Sequence, residues 1–259
     1  MFSWTWEPGL ILGLALQAIV YLACVGPLRP WFPGSEPVPQ ARVMTFLLGN
    51  LTLFIALVTP LGTLSDGYLL SAHMVQHLLL TMIAPPLLLI GTPRWFFRPL
   101  LRLPYALPVG RFLTRALVAF LAYNVTFTLW HVPQFYEASL RIQPLHIAQH
   151  IAFIGTATLT WWPVFSPMSE LPRLSPPLQC LYLFAQVLPM KVLAAMLTFS
   201  SFVLYPTYAE APRIWGLSVL DDQQLAGLLM WIPGFLILFG VFSVVFIRFM
   251  EHDEYRPAN

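Results

Sequence analysis

The sequence predicts an all-α polytopic membrane protein: a single domain, residues 1–259, folded as a bundle of seven transmembrane helices, N-terminus outside and C-terminus cytoplasmic. Three observations predict it. Hydrophobic residues make up 58% of the chain and charged residues 9%, whereas a soluble domain is about half apolar and ~25% charged. The apolar residues gather in seven runs, each near the roughly 20 residues that a bilayer span requires. The basic residues fall unevenly among the loops between those runs. So few charges cannot cover a water-soluble globule of 259 residues, which sets aside a soluble enzyme, a nucleic-acid binder and a disordered chain. The runs do not alternate in the ten-residue pattern of an outer-membrane barrel.

The runs are about 8–28, 43–64, 69–91, 112–132, 145–165, 177–201 and 223–247. The first follows Met1-Phe2-Ser3-Trp4-Thr5-Trp6-Glu7, which lacks the basic stretch of a secretory signal, so it is read as a retained helix. Pro27, Pro30, Pro133 and Pro163 are read as helix ends. Pro60, Pro85-Pro86, Pro189 and Pro233 fall inside runs, where neighbouring helices must satisfy the carbonyls that proline frees. With the N-terminus outside, the inner segments hold Arg29, Arg42, Arg94, Arg98, Arg102, Arg111, Arg115, Arg173, Arg248 and Arg256, the outer ones only Arg141 and Arg213. In the 92–111 loop Arg94, Arg98 and Arg102 recur every four residues among Trp95, Phe96, Phe97 and Leu100. That pattern fits either a short interfacial helix or an ordinary basic inner loop with aromatic anchors. Cys24 and Cys180 lie toward the inner ends of spans one and six and are read as packing thiols.

Five of the six histidines fall in three spans: His73 and His77, His131, and His146 and His150. His252 belongs to the tail and is read as solvated. His73-Met74-Val75-Gln76-His77 and His146-Ile147-Ala148-Gln149-His150 share one spacing, His-x-x-Gln-His. Residues four apart lie on one helix face, so each pair can grip one metal ion or face two adjacent sites. Spans three and five enter from outside with their histidines in the first turns, and span four leaves with His131 near its end. All five imidazoles therefore fall at one outer level, where an unligated polar ring is costly. The metalloprotease pattern needs Glu after its first His, and Met74 and Ile147 stand there instead, against peptide hydrolysis.

Imidazole suits copper, zinc and iron, and the Irving–Williams order favours copper on an oxidising side. Met74 and Met196 are candidate auxiliary ligands, with packing or lipid-facing methionine as the plainer account. Gln76 and Gln149 are candidates to orient the rings. Asp66 and Asp222, with Glu137, Glu210 and Asp221, would form an acidic approach for a cation or simply a solvated rim. Lys191, the one lysine, sits in the outer half of span six, poised to pair with an outer carboxylate or an anion, or to snorkel. A retinal Schiff base would want that lysine in the last helix.

The chain resembles the CtaG-type cytochrome c oxidase assembly factors, seven-span membrane proteins linked to biogenesis of caa-type oxidases. The residues that carry the resemblance are Ser71-Ala72-His73-Met74-Val75-Gln76-His77-Leu78-Leu79-Leu80 with Ala84-Pro85-Pro86-Leu87-Leu88, Leu129-Trp130-His131-Val132-Pro133 with Phe135-Tyr136, and His146-Ile147-Ala148-Gln149-His150 with Trp161-Trp162-Pro163. Leu197-Thr198-Phe199, Leu204-Tyr205-Pro206, Asp222-Gln223-Gln224-Leu225-Ala226-Gly227 and Trp231-Ile232-Pro233-Gly234 follow. It spans roughly 45–250 and implies a non-enzymatic role in oxidase assembly, as a chaperone that supplies copper to oxidase subunits in the bacterial cytoplasmic (inner) membrane. Whether the chain forms a homo-oligomer stays open. Two rival readings remain: a haem b protein with axial histidines from two spans, and a copper or other cation transporter with Lys191 and Asn50 along its path.

Overall fold

The computed structural model describes residues 3–254, with side chains to residue 251, and among these it is helical without strands. Arg256 and the side chain of His252 lie outside the described residues, as do Met1 and Phe2. The helices are α1 (Pro8–Val25), α2 (Gln40–Val58), α3 (Pro60–Gly67), α4 (Leu70–Leu78), α5 (Ala84–Gly91), α6 (Arg98–Leu101), α7 (Ala106–Leu113), α8 (Ala116–His131), α9 (Pro133–Arg141), α10 (Gln143–Phe165), α11 (Pro176–Thr198), α12 (Pro206–Glu210) and α13 (Val219–Glu254).

Five helical segments are long and apolar enough to cross a membrane: α1, α2, Leu70–Gly91, α11 and α13. A sixth arises if α7 and α8, bent by 70° at their junction, count as one broken span. Alone, α8 has 16 residues, about 24 Å at 1.5 Å per residue. With its 23 residues α10 is long enough, but His146, Gln149, His150 and its threonines dilute its apolar content. The protein is thus a multi-pass membrane protein, and three of the polar residues that thin the predicted fifth span, His146, Gln149 and His150, belong to the site described below.

Proline explains the breaks. Pro60 does not kink the second span but ends it, standing in the first turn of α3. Its missing N–H frees the Ala56 carbonyl, which accepts from Gln76 Nε2 at 3.0 Å. Between α4 and α5 the chain winds through a π-turn, Leu79–Ile83. Pro85 there leaves the Thr81 carbonyl without its helical partner, and Trp161 Nε1 donates to it at 2.8 Å. Pro163 lies inside α10 rather than at its end, and Pro189 and Pro233 are interior as expected.

In the core α11 packs along α13, α8 along α10, α2 along α5 and α4 along α13. The α2–α5 approach requires Gly91: a Cβ there would stand 2.5 Å from the Phe46 backbone nitrogen. The 92–111 stretch is not one interfacial helix but turns followed by α6 and α7. Arg98 within it bonds Glu170 at 2.8 Å, so part of its basic pattern serves loop-to-loop pairing. Cys24 and Cys180 are free thiols, partly buried.

Candidate metal centre

The first turns of α4 and α10 and the last turn of α8 meet at one end of the bundle. His73 and His77 stack along α4 with ring centroids 4.2 Å apart, and His146 and His150 along α10 at 4.3 Å. Across the two helices the pairs meet in register, His73 to His146 at 6.2 Å and His77 to His150 at 6.1 Å. His131 joins from α8, 6.0 Å from His77. The imidazoles therefore form two tiers, with His77 at their centre. Phe153 packs against His77 at 4.7 Å.

The supports come from other elements. Asp222 of α13 is fully buried. It accepts from the first free amides of α4, Leu70 N at 2.7 Å and Ser71 N at 3.2 Å, and from Ser71 Oγ at 2.5 Å. A helix leaves those amides unpaired, and a carboxylate there also meets the positive end of the helix dipole. Asp222 is thus a cap that fixes the turn bearing His73, not a residue of a cation approach path. His131 Nδ1 lies 2.6 Å from the Phe127 carbonyl, which can only accept, so Nδ1 carries the proton and Nε2 the lone pair. Tyr208 donates its hydroxyl proton to the Ser65 carbonyl at 2.7 Å and stands 3.2 Å from His73 Nδ1. With its proton committed there, Tyr208 accepts from His73 Nδ1–H, which leaves Nε2 as the free base. Burial pushes the Tyr208 hydroxyl well above the ordinary phenol range, keeping it a protonated donor. Tyr136 meets the Tyr208 hydroxyl at 3.0 Å, and Tyr205 donates to the His131 carbonyl at 2.8 Å.

What remains is a set of buried nitrogens with no hydrogen-bond partner: Nε2 of His73, His131, His146 and His150, and both ring nitrogens of His77. Buried polar atoms are otherwise paired almost without exception. A metal ion fits that donor set of imidazoles, two of which, His73 and His131, have their second ring nitrogen held by a hydroxyl or a carbonyl. As the rings stand, no three His, Cys, Asp or Glu side chains among the described residues are grouped to hold one ion, so ligation requires the imidazoles to turn toward one another.

The other predicted residues divide. Asp66 Oδ1 lies 3.6 Å from His146 Nε2 with its side chain 45% exposed, linking the cluster to the surface. Gln149 is fully buried between His146 and His150, and both its amide atoms lack a partner. Gln76 points its amide nitrogen to Ala56 instead of an imidazole. Met74 is fully buried beside the cluster on α4, while Met196 is 57% exposed on the outward side of α11. Lys191 Nζ lies 4.7 Å from the Phe235 ring centre, a cation–π contact. Glu137 is engaged by Thr207, which donates from N at 3.1 Å and from Oγ1 at 2.6 Å. Residue-by-residue reading missed the Tyr136, Tyr205 and Tyr208 supports. The first two lie within fragments that carry the family resemblance, Tyr136 after the His131 segment and Tyr205 in Leu204-Tyr205-Pro206, but no spacing marks Tyr208.

A family model described as cytochrome c oxidase caa3 assembly factor matches residues 19–252, nearly the whole chain. No curated protein and no solved structure matches.

Proposed function

Because the chain belongs to the cytochrome c oxidase caa3 assembly factor family, we propose that it is a non-catalytic assembly factor that holds copper as cargo on His73, His77, His131, His146 and His150. In this reading the histidine end of the bundle faces outside the bacterial cytoplasmic membrane, and the ion passes to an oxidase subunit by ligand exchange. The observation that carries it is the set of buried, unpartnered imidazole nitrogens converging from three helices. Neutral imidazole is a strong copper ligand, and passage between histidine sites at one depth keeps the ion out of lipid.

Two other readings make different predictions. A haem would show a Soret band in the purified protein, and a transporter would load vesicles.

The test is metal analysis of detergent-purified protein after copper loading, wild type beside a variant with His73, His77, His146 and His150 replaced by alanine, both checked for a single folded species. The expected result is copper on the wild type and its loss from the variant. Equal copper on both ends the reading.

A further inference from the structure

Beside His77, Met74, Met82, Met190 and Met230 line one small void of about 10 Å³, which Leu78, Thr81, Tyr123 and Phe127 complete. The methionines come from four elements: α4, the π-turn, α11 and α13. The chain has nine methionines, so nearly half of them line this one spot. All four are at most 5% exposed. The sequence also makes room for one of these sulfurs: a Cβ on Gly234 of α13 would stand 2.7 Å from Met190 Sδ. His77 reaches the same void, and neither of its ring nitrogens has a protein partner.

We propose that Met74, Met82, Met190 and Met230, with His77, form a second metal site, for monovalent copper, next to the histidine tiers. Thioethers are soft, uncharged donors that select monovalent copper, and an imidazole completes such a set without adding charge to the bundle interior. Methionine also serves as a flexible filler of irregular gaps. Filler side chains, however, would close a void at their own meeting point, and packing gives no partner to the nitrogens of His77. The site shares His77 with the histidine cluster, so it offers an ion a resting place next to the tiers. Only the choice of copper rests on the proposed function.

The experiment titrates the full-length protein in detergent with monovalent copper held by a competing chromophoric chelator, and separately with divalent copper. Met74, Met82, Met190 and Met230 are replaced together by leucine, a swap that nearly conserves volume. A second variant, Gly234→Ala, displaces the Met190 sulfur without removing a ligand. A third carries His131→Ala, His146→Ala and His150→Ala. The proposal expects at least tenfold weaker monovalent copper binding in the leucine variant, a loss in the same direction for Gly234→Ala, and unchanged divalent copper binding in both. Unaltered monovalent affinity in a leucine variant that melts as the wild type does overturns it, whatever the third variant shows. If the third variant keeps all its copper while the leucine variant loses the monovalent ion, the histidine reading fails and this one stands. Should the quadruple variant not fold, Met190→Leu and Met230→Leu are read singly, each expected to weaken monovalent binding at least threefold; no change in either overturns the proposal.

Discussion

Replacing Asp222 by alanine removes the acceptor that ties α13 to the start of α4. Three donors lose their partner: Leu70 N, Ser71 N and Ser71 Oγ, at 2.7, 3.2 and 2.5 Å. A lost helix cap costs about 1 kcal/mol and a lost buried hydrogen bond a similar amount, so the three together come to roughly 3 kcal/mol. Removing a buried carboxylate also lifts its desolvation cost, which brings the net to about 2 kcal/mol. For a chain of this size that is a fall in melting temperature of about 4–8 °C. Asp222→Asn keeps a carbonyl acceptor for one or two of the donors and should lose about half as much. The assay is thermal unfolding of detergent-purified protein, followed by tryptophan fluorescence, with copper titration alongside. Because Asp222 fixes the turn bearing His73, copper affinity should fall in step with stability. An Asp222→Ala protein that melts within one degree of wild type would refute the capping argument.

Gly91→Ala drives a Cβ to 2.5 Å from the Phe46 nitrogen and disturbs the Tyr21 hydroxyl bond to the Gly91 carbonyl, 2.8 Å long; a destabilisation of about 1–3 kcal/mol, read as a lower melting temperature, is expected. Gln76→Leu strands the Ala56 carbonyl that Pro60 frees, costing about 1–2 kcal/mol while leaving copper content unchanged; a loss of copper without a loss of stability would instead make Gln76 a partner of the imidazoles. In the Arg98–Glu170 pair, the carboxyl is held below the usual range, first by its own backbone N–H and then by Arg98. A depressed carboxylate stabilises the fold above its unfolded pKa and loses that contribution as pH falls through the folded value. Limited proteolysis of the 92–111 and 166–175 loops should therefore quicken as pH falls below the ordinary carboxylate range, a small effect, discounted for exposure, that Arg98→Met weakens.

The histidine geometry was legible because helical spacing is a local rule. Two His-x-x-Gln-His segments on helices entering from the same side must present two rings each at one depth, and they do so in register. What the sequence hides is what lies across from each side chain. Asp221 and Asp222 are neighbours of one chemistry, yet one is exposed and the other fully buried as a cap. Met190 and Met196 share α11, but six residues turn the helix through about 600°, so one faces the core and the other the exterior. Gln76 looks like a partner of the imidazoles beside it until Pro60, on another helix, is seen to leave a carbonyl facing it. The span count was blurred for a related reason: the polar residues that build the site are the ones that lower the apolar signal of α10, and α8 is cut short where it delivers His131.

The central claim is that imidazoles from α4, α8 and α10 jointly hold copper. Electron paramagnetic resonance of the protein loaded with one equivalent of divalent copper tests it most directly. The account predicts a spectrum split by several imidazole nitrogens, stripped of that splitting when His73, His77, His146 and His150 are replaced. A spectrum without nitrogen splitting, or one that survives those replacements, would contradict it.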